Sequence, residues 1–156
     1  MATQAPAAPE IATSLGVLDE LIGYHLRRAS AVLATDFARM LEGTDMRQVL
    51  FGILSIVREN PGINQGAVGR TLGIQRANMV GPVNDLAERG LIERKADKED
   101  RRAFSLALTP KGEALFDDVL ARIRAHEEAM LADLSTAERA TLIDLLGRIE
   151  ARGSSV

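Results

Sequence analysis

Cysteine is absent from the 156-residue chain. That removes disulfides, thiol nucleophiles, zinc–thiolate sites and thiol-based redox sensing together. Tryptophan is absent too, and aromatics make up 3% of the residues, which argues against a single-strand binder that stacks bases on rings. The two histidines, His25 and His126, have no second histidine nearby, so neither a metal site nor a cofactor is expected. No apolar run approaches the ~20 residues of a membrane span. Residues Met1 to Glu10 also lack the basic patch and apolar core of a secretory signal. A cytoplasmic protein without a membrane partner is expected. Phosphate-cradling glycine loops, nucleophile elbows and metal-ligand spacings are missing as well. The adjacent acids Asp117-Asp118 and Glu127-Glu128 point in different directions on a helix and cannot converge on a substrate. The chain is therefore not read as an enzyme.

What is present is ordinary globular composition, 46% hydrophobic and 26% charged, with length enough for one domain and a sizeable core. The net charge of −3 hides an asymmetry. Residues 47–112 hold 11 Lys and Arg against 7 Asp and Glu, a net +4, and the remainder holds 8 against 15, a net −7. Only the middle of the chain would welcome a polyanion.

Residues 1–10, rich in Ala and Pro, are expected to form a mobile arm. Apolar residues at helical spacing (Ile11, Leu15, Leu18, Ile22, Val32, Leu33, Phe37, Met40) predict one long helix over 11–40, broken by Gly43 and Thr44. Thr44 or Asp45 can cap a second helix carrying Val49, Leu50, Ile53, Leu54 and Val57, stopped by Asn60-Pro61-Gly62. A short third helix spans about 64–72. Gly73 turns the chain into a fourth, from about Gln75 to Arg89. Residues 91–95 and 104–108 read as two antiparallel strands around a charged tip. Thr109-Pro110 then opens a helix to about Asp133, with cap and N1 proline in order. Ser135 to Glu138 is a capping box for the last helix, whose apolar face is Leu142, Leu145, Leu146 and Ile149. The tail, residues 151–156, should fray. His126, in a charged stretch, is expected at the surface.

This order is a mainly α fold with a small antiparallel β-hairpin wing, a winged helix-turn-helix. In that motif the second helix of the pair lies in the major groove and presents its N-terminal residues to base edges. Here these are Gln75, Arg76, Asn78 and Met79, with Val83 and Leu86 toward the core. Gln and Asn suit adenine, and Arg suits guanine. The competing reading makes Gln75, Arg76 and Asn78 solvated polars of the helix start. The hairpin tip carries Lys95, Lys98, Arg101 and Arg102 among Asp97, Glu99 and Asp100. A basic tip beside a groove-filling helix can reach phosphates or a minor groove; read blandly, it is a solvated mixed-charge turn.

Three stretches, Leu72-Gly73-Ile74 through Arg89-Gly90-Leu91-Ile92, Asp97 to Arg102, and Leu106-x-Leu108-Thr109-Pro110-Lys111-Gly112, resemble the MarR family of bacterial transcriptional regulators. The likeness covers about residues 11–150, and Asp-Arg-Arg followed by Leu-Thr-x-x-Gly is its most specific part. The resemblance implies a homodimer on a pseudo-palindromic double-stranded operator. It assigns 11–44 and 111–150 to dimerisation and 45–110 to DNA binding. Arg101 matches the family's minor-groove arginine, Asp100 the acid that orients it, and Arg102 a phosphate or structural arginine; Lys98 joins them at the tip. Two departures stand out. Gly81-Pro82 lies inside the recognition helix, predicting a kink or a later start. Gln75 also replaces the Ser or Thr expected at the cap.

Family members are often released from DNA by a small ligand. The resemblance implies repression relieved by an effector such as an aromatic carboxylate or its coenzyme A thioester. Tyr24, His25, Arg27, Arg28 and Phe51 are the candidate lining residues. Against this, Arg27 and Arg28 can be solvated or dimer-rim charges, and His25 an interface residue bonded to the backbone. The contrasting function is a winged-helix interaction or ligand-sequestering module that never binds DNA.

Overall fold

Leu50, Ile53, Leu54 and Val57 recur at three- and four-residue spacing and are all buried on one side of α2 (Gln48–Glu59). Around this stripe the second half of the chain assembles. The structure, a computed structural model, describes residues 13–96 and 104–153, in two units divided after Thr35. The expected arm at 1–10 and the tip residues 97–103 lie outside the described residues.

The long helix expected from Ile11 to Met40, which crosses the division between the units, does not form as one piece. A 3-10 turn spans Gly16–Glu20, Leu21 is extended, and α1 starts at Ile22 and runs to Met40. The interruption has a local cause: Gly16 takes a left-handed φ of 56° and Leu21 a β-region ψ of 107°, neither of which continues an α-helix. No residue of α1 is buried.

In the second unit, α3 (Gln65–Thr71) and α4 (Arg76–Glu88) follow α2. Asn64 caps α3 by accepting from the Ala67 N–H at 2.9 Å. Gly73, at φ 66°, makes the sharp turn between the two helices. Strands β1 (Ile92–Ala96) and β2 (Phe104–Leu108) pair antiparallel, with Ile92 opposite Leu108 and Arg94 opposite Leu106. The Leu106 N–H donates to the Ile63 carbonyl at 2.8 Å, tying the hairpin to the loop before α3. Next come α5 (Pro110–Met130) and α6 (Thr136–Gly153). The core joins Leu41 and Met46 to the α2 stripe, Val68, Met79, Val83, Leu86, Leu91, Ile92, Leu106, Phe116 and Val119.

The start of α5 is bound to the start of the hairpin. Thr109 caps the helix by accepting from the Gly112 N–H at 3.0 Å and donates to the Gly90 carbonyl at 2.7 Å. A β-carbon on Gly112 would stand 2.0 Å from the Leu91 oxygen, so only glycine fits there. Arg58 of α2 lies over the Phe116 ring at 4.6 Å and bonds Asp117 at 2.6 Å and Glu113 at 3.1 Å. The Asp117 hydrogen bond is the main cause of its raised pKa.

Four local expectations are corrected. Neither Thr44 nor Asp45 caps α2: the N-cap is Arg47, without a side-chain bond. The Thr44 hydroxyl is engaged in the turn itself, donating to Leu41 and accepting from Met46, while Asp45 sits at φ 52° and its carbonyl accepts from Arg89. His126 is not at the surface. It continues the inward face of Val119 and Ile123 at positions i+7 and i+3, its side chain is 16% exposed, and Nε2, without a hydrogen-bond partner among the described residues, lies 3.9 Å from Asp36. The last helix extends through Arg152 and Gly153 instead of fraying from 151, and α5 ends at Met130, short of Asp133. The capping box forms as expected, with Glu138 accepting from the Ser135 N–H at 2.8 Å.

Candidate nucleic-acid interface

The phase of α4 separates what can touch a ligand from what cannot. Met79, Val83 and Leu86, at i, i+4 and i+7, are fully buried and fix the inward face. Arg76, Ala77, Asn78, Val80 and Gly81 are exposed on the first two turns. Met79 is therefore withdrawn as a base-contacting residue. It packs on α3, where the position a Gly69 β-carbon would take is 2.9 Å from its Cγ. The signal was in the sequence: once Val83 and Leu86 are read as core, helical phase puts Met79 with them. Val80, 49% exposed, takes its place on the outer face, where an apolar side chain can meet a thymine methyl.

Gln75 is the N-cap of α4, is exposed, and makes no side-chain capping bond among the described residues. The helix starts at Arg76 and continues through Pro82 to Glu88, so the later start expected from Gly81-Pro82 is corrected. Proline deprives only the Asn78 carbonyl of its donor, and Asn78 is an exposed residue where water substitutes.

Beyond α4, the hairpin stem carries Glu93, Arg94 and Lys95, all exposed. Lys95 pairs with Glu93 at 2.6 Å. Arg94 instead donates to the Asn84 amide oxygen on α4 at 2.5 Å, a bridge that sequence reading missed because nothing in either residue type announces it. Lys98, Asp100, Arg101 and Arg102 lie outside the described residues.

The five candidate ligand residues divide between the two units. In the first, Tyr24 is half-buried and the others are exposed. The Arg27 and Arg28 guanidinium carbons stand 5.9 and 5.7 Å from the Tyr24 ring centre, and His25 Nε2 bonds the Asp19 carbonyl at 3.0 Å. Neither arginine has a carboxylate within 4.0 Å among the described residues. In the second unit, Phe51 stacks on Phe116 with ring centres 5.0 Å apart. It also lines an open, mostly apolar depression of about 440 Å³ with Gln48, Val49, Gly52, Leu72 and Ile74.

A helix-turn-helix with an exposed polar N-terminal turn, next to a hairpin and backed by α5, can be compared with known proteins. The MarR family pattern matches residues 48–103, from the start of α2 into the hairpin. A transcriptional regulatory protein assigned to the hcr operon of Thauera aromatica is 35% identical over 134 residues, 85% of this chain and 81% of that protein. This chain belongs to the MarR family. MarR-family structures share its fold closely. The repressor CouR bound to a 23-mer DNA duplex superposes with a TM-score of 0.84 at 33% identity, covering 88% of this chain and 98% of that one. CouR from Rhodococcus jostii, bound to p-coumaroyl-CoA, gives 0.78 at 30% identity, covering 86% and 94%. The protein is thus a winged-helix transcriptional regulator of the MarR type. No helix among the described residues is long and apolar enough to cross a membrane.

Proposed function

We propose that this chain is a homodimeric repressor that binds a pseudo-palindromic DNA site and is released by an aromatic acid or its coenzyme A thioester. The observation that carries the proposal is the outer face of α4, where Gln75, Arg76, Asn78 and Val80 are all exposed and none is engaged in the core. The 33%-identical CouR, solved on a DNA duplex, supports the same assignment. In the complex, α4 enters the major groove. Arg101 of the hairpin tip enters the neighbouring minor groove, with Asp100 orienting it and Lys98 and Arg102 on phosphates. Pairing is supported by exposed leucines and isoleucines on α6 (Leu142, Ile143, Leu145 and Ile149), more apolar surface than a lone chain leaves in water. Residues 11–44 and 111–150 are assigned to dimerisation and 45–110 to DNA binding.

For the effector, Arg27 and Arg28 supply positive charge that no carboxylate pairs among the described residues, and Tyr24 supplies an aromatic face, which suits an aromatic anion; His25 and Phe51 are the other assigned residues. CouR of R. jostii holds p-coumaroyl-CoA. The protein acts in the cytoplasm, where its DNA is, and catalyses no reaction.

The test is fluorescence anisotropy on duplex DNA from immediately upstream of the chain's own gene, at several salt concentrations. Binding that is tight relative to a scrambled duplex, steep in salt, and weaker by roughly 1–3 kcal/mol for Arg101→Ala bears the reading out. Equal weak binding to both duplexes, unmoved by Arg101→Ala, favours the interaction module.

A further inference from the structure

We infer that Arg94, held by Asn84, is a phosphate clamp at the junction of the recognition helix and the hairpin, contacting the DNA backbone between the two grooves the protein reads. This rests on the DNA-binding reading above.

Strand register sets the face from which Arg94 emerges. Arg94 pairs with Leu106, and Ile92 lies two residues before it on the same strand. Side chains of paired residues share a face, as do those of i and i+2. Leu106 and Ile92 are both buried, so Arg94 emerges on the core side of the hairpin, where a guanidinium is costly unless it escapes to a partner. It escapes past the core edge toward α4, reaches the Asn84 oxygen at 2.5 Å, and remains exposed. On the opposite face of the same strand, Lys95 is neutralised by Glu93. Arg94 has no such carboxylate within 4.0 Å among the described residues.

Asn84 is a well-matched partner for a phosphate-binding arginine. Its amide oxygen is neutral, so it fixes the guanidinium without cancelling the charge. One N–H is used among the described residues, which leaves the remaining donors of the fork for a phosphate. The position is decisive. With α4 in a major groove and the hairpin beyond it at the next minor groove, one sugar–phosphate ridge separates the two grooves. A group at the join of helix and hairpin stem faces that ridge, not a base edge. Asn84 lies on the outward side of α4, seven residues after Ala77 and three after Gly81. The clamp therefore sets how deeply the helix sits while leaving the reading of bases to the first turns.

The test uses the full chain and a duplex that the wild-type protein enriches from a random-sequence library, with a scrambled version as control. Arg94→Ala should weaken binding to both duplexes by a similar factor, roughly tenfold. It should also lower the slope of log affinity against log salt by about 1.8, the loss of one phosphate contact from each of the two protomers, with an unchanged melting temperature. Arg94→Lys should keep the slope. Asn84→Asp, which leaves the arginine but adds a counter-charge, should lower the slope as Arg94→Ala does. Asn84→Ala should weaken binding less, and the double alanine variant should be no weaker than Arg94→Ala alone. An Arg94→Ala protein with wild-type affinity and slope overturns the clamp and leaves the DNA reading standing. A loss confined to the enriched duplex makes Arg94 a base reader and also overturns it. If the wild type enriches no duplex, the DNA reading falls and the clamp with it.

Discussion

Helices α2 and α6 both carry an apolar stripe at helical spacing, and the structure treats them differently. In α2, Leu50, Ile53, Leu54 and Val57 are buried by the chain's own α3, α4, hairpin and α5. In α6, Leu142, Leu145 and Ile149 are 40–50% exposed and no residue is buried. Periodicity says that a face is to be covered; it does not say by what. The net positive segment 47–112 contains the covered helix and the acidic remainder contains the uncovered one, although Leu41, Met46, Phe116 and Val119 of the remainder also join the core. One region is complete in a single chain, and the other, in the proposed function, is completed by a second copy.

The comparison can be broken most forcefully at the join of the hairpin and α5. Gly112→Ala drives a methyl group into the Leu91 carbonyl and should cost about 4 kcal/mol or more of stability, as severe backbone clashes do, read by urea denaturation. Leu54→Ala opens a cavity in the covered stripe and should cost about 3 kcal/mol in the same assay. The matching change in the uncovered stripe, Leu145→Ser with Ile149→Ser, should leave the unfolding of an isolated chain within about 0.5 kcal/mol. It should weaken self-association at least roughly tenfold, seen as a concentration-dependent melting temperature that becomes independent of concentration. Equal loss of chain stability from the α2 and α6 changes would erase the distinction.

Two smaller effects sharpen it. Ser135→Ala removes the cap of α6 and should cost about 1 kcal/mol. The Ser135 hydroxyl and N–H bonds hold the Glu138 carboxyl below its usual pKa, and the Arg139 hydrogen bond does the same for Glu128. A lowered folded pKa means that the contribution is complete above the ordinary carboxylate range and is lost as pH falls through the lowered values. Glu138→Gln should thus melt below wild type at neutral pH, and the gap should close in acid.

Much of the fold was legible because its signals are local. Thr109-Pro110, the capping box at Ser135 and Glu138, and the turn at Gly73 each specify their own geometry. The errors came where local and long-range demands meet. Helical phase shared with Val83 puts Met79 inside, although its place in the first turns of α4 made it look like a reader. His126 sits in a charged run, yet its phase with Val119 and Ile123 turns it inward. Thr44 is a good capping residue, but its hydroxyl closes a turn that Arg89, 45 residues further along, holds from outside. The Arg94–Asn84 bridge depends on strand register and on α4 at once, and neither residue type reveals it alone.

The central claim is that the covered lobe reads DNA while the uncovered helices join two copies, and sedimentation of the chain with its selected duplex tests both halves together. The account predicts a dimer at micromolar concentration and one complex containing two chains per duplex, dispersed into chain-sized species by the paired serine substitutions on α6. A monomer that forms no complex, or a complex of one chain per duplex untouched by those substitutions, would contradict it.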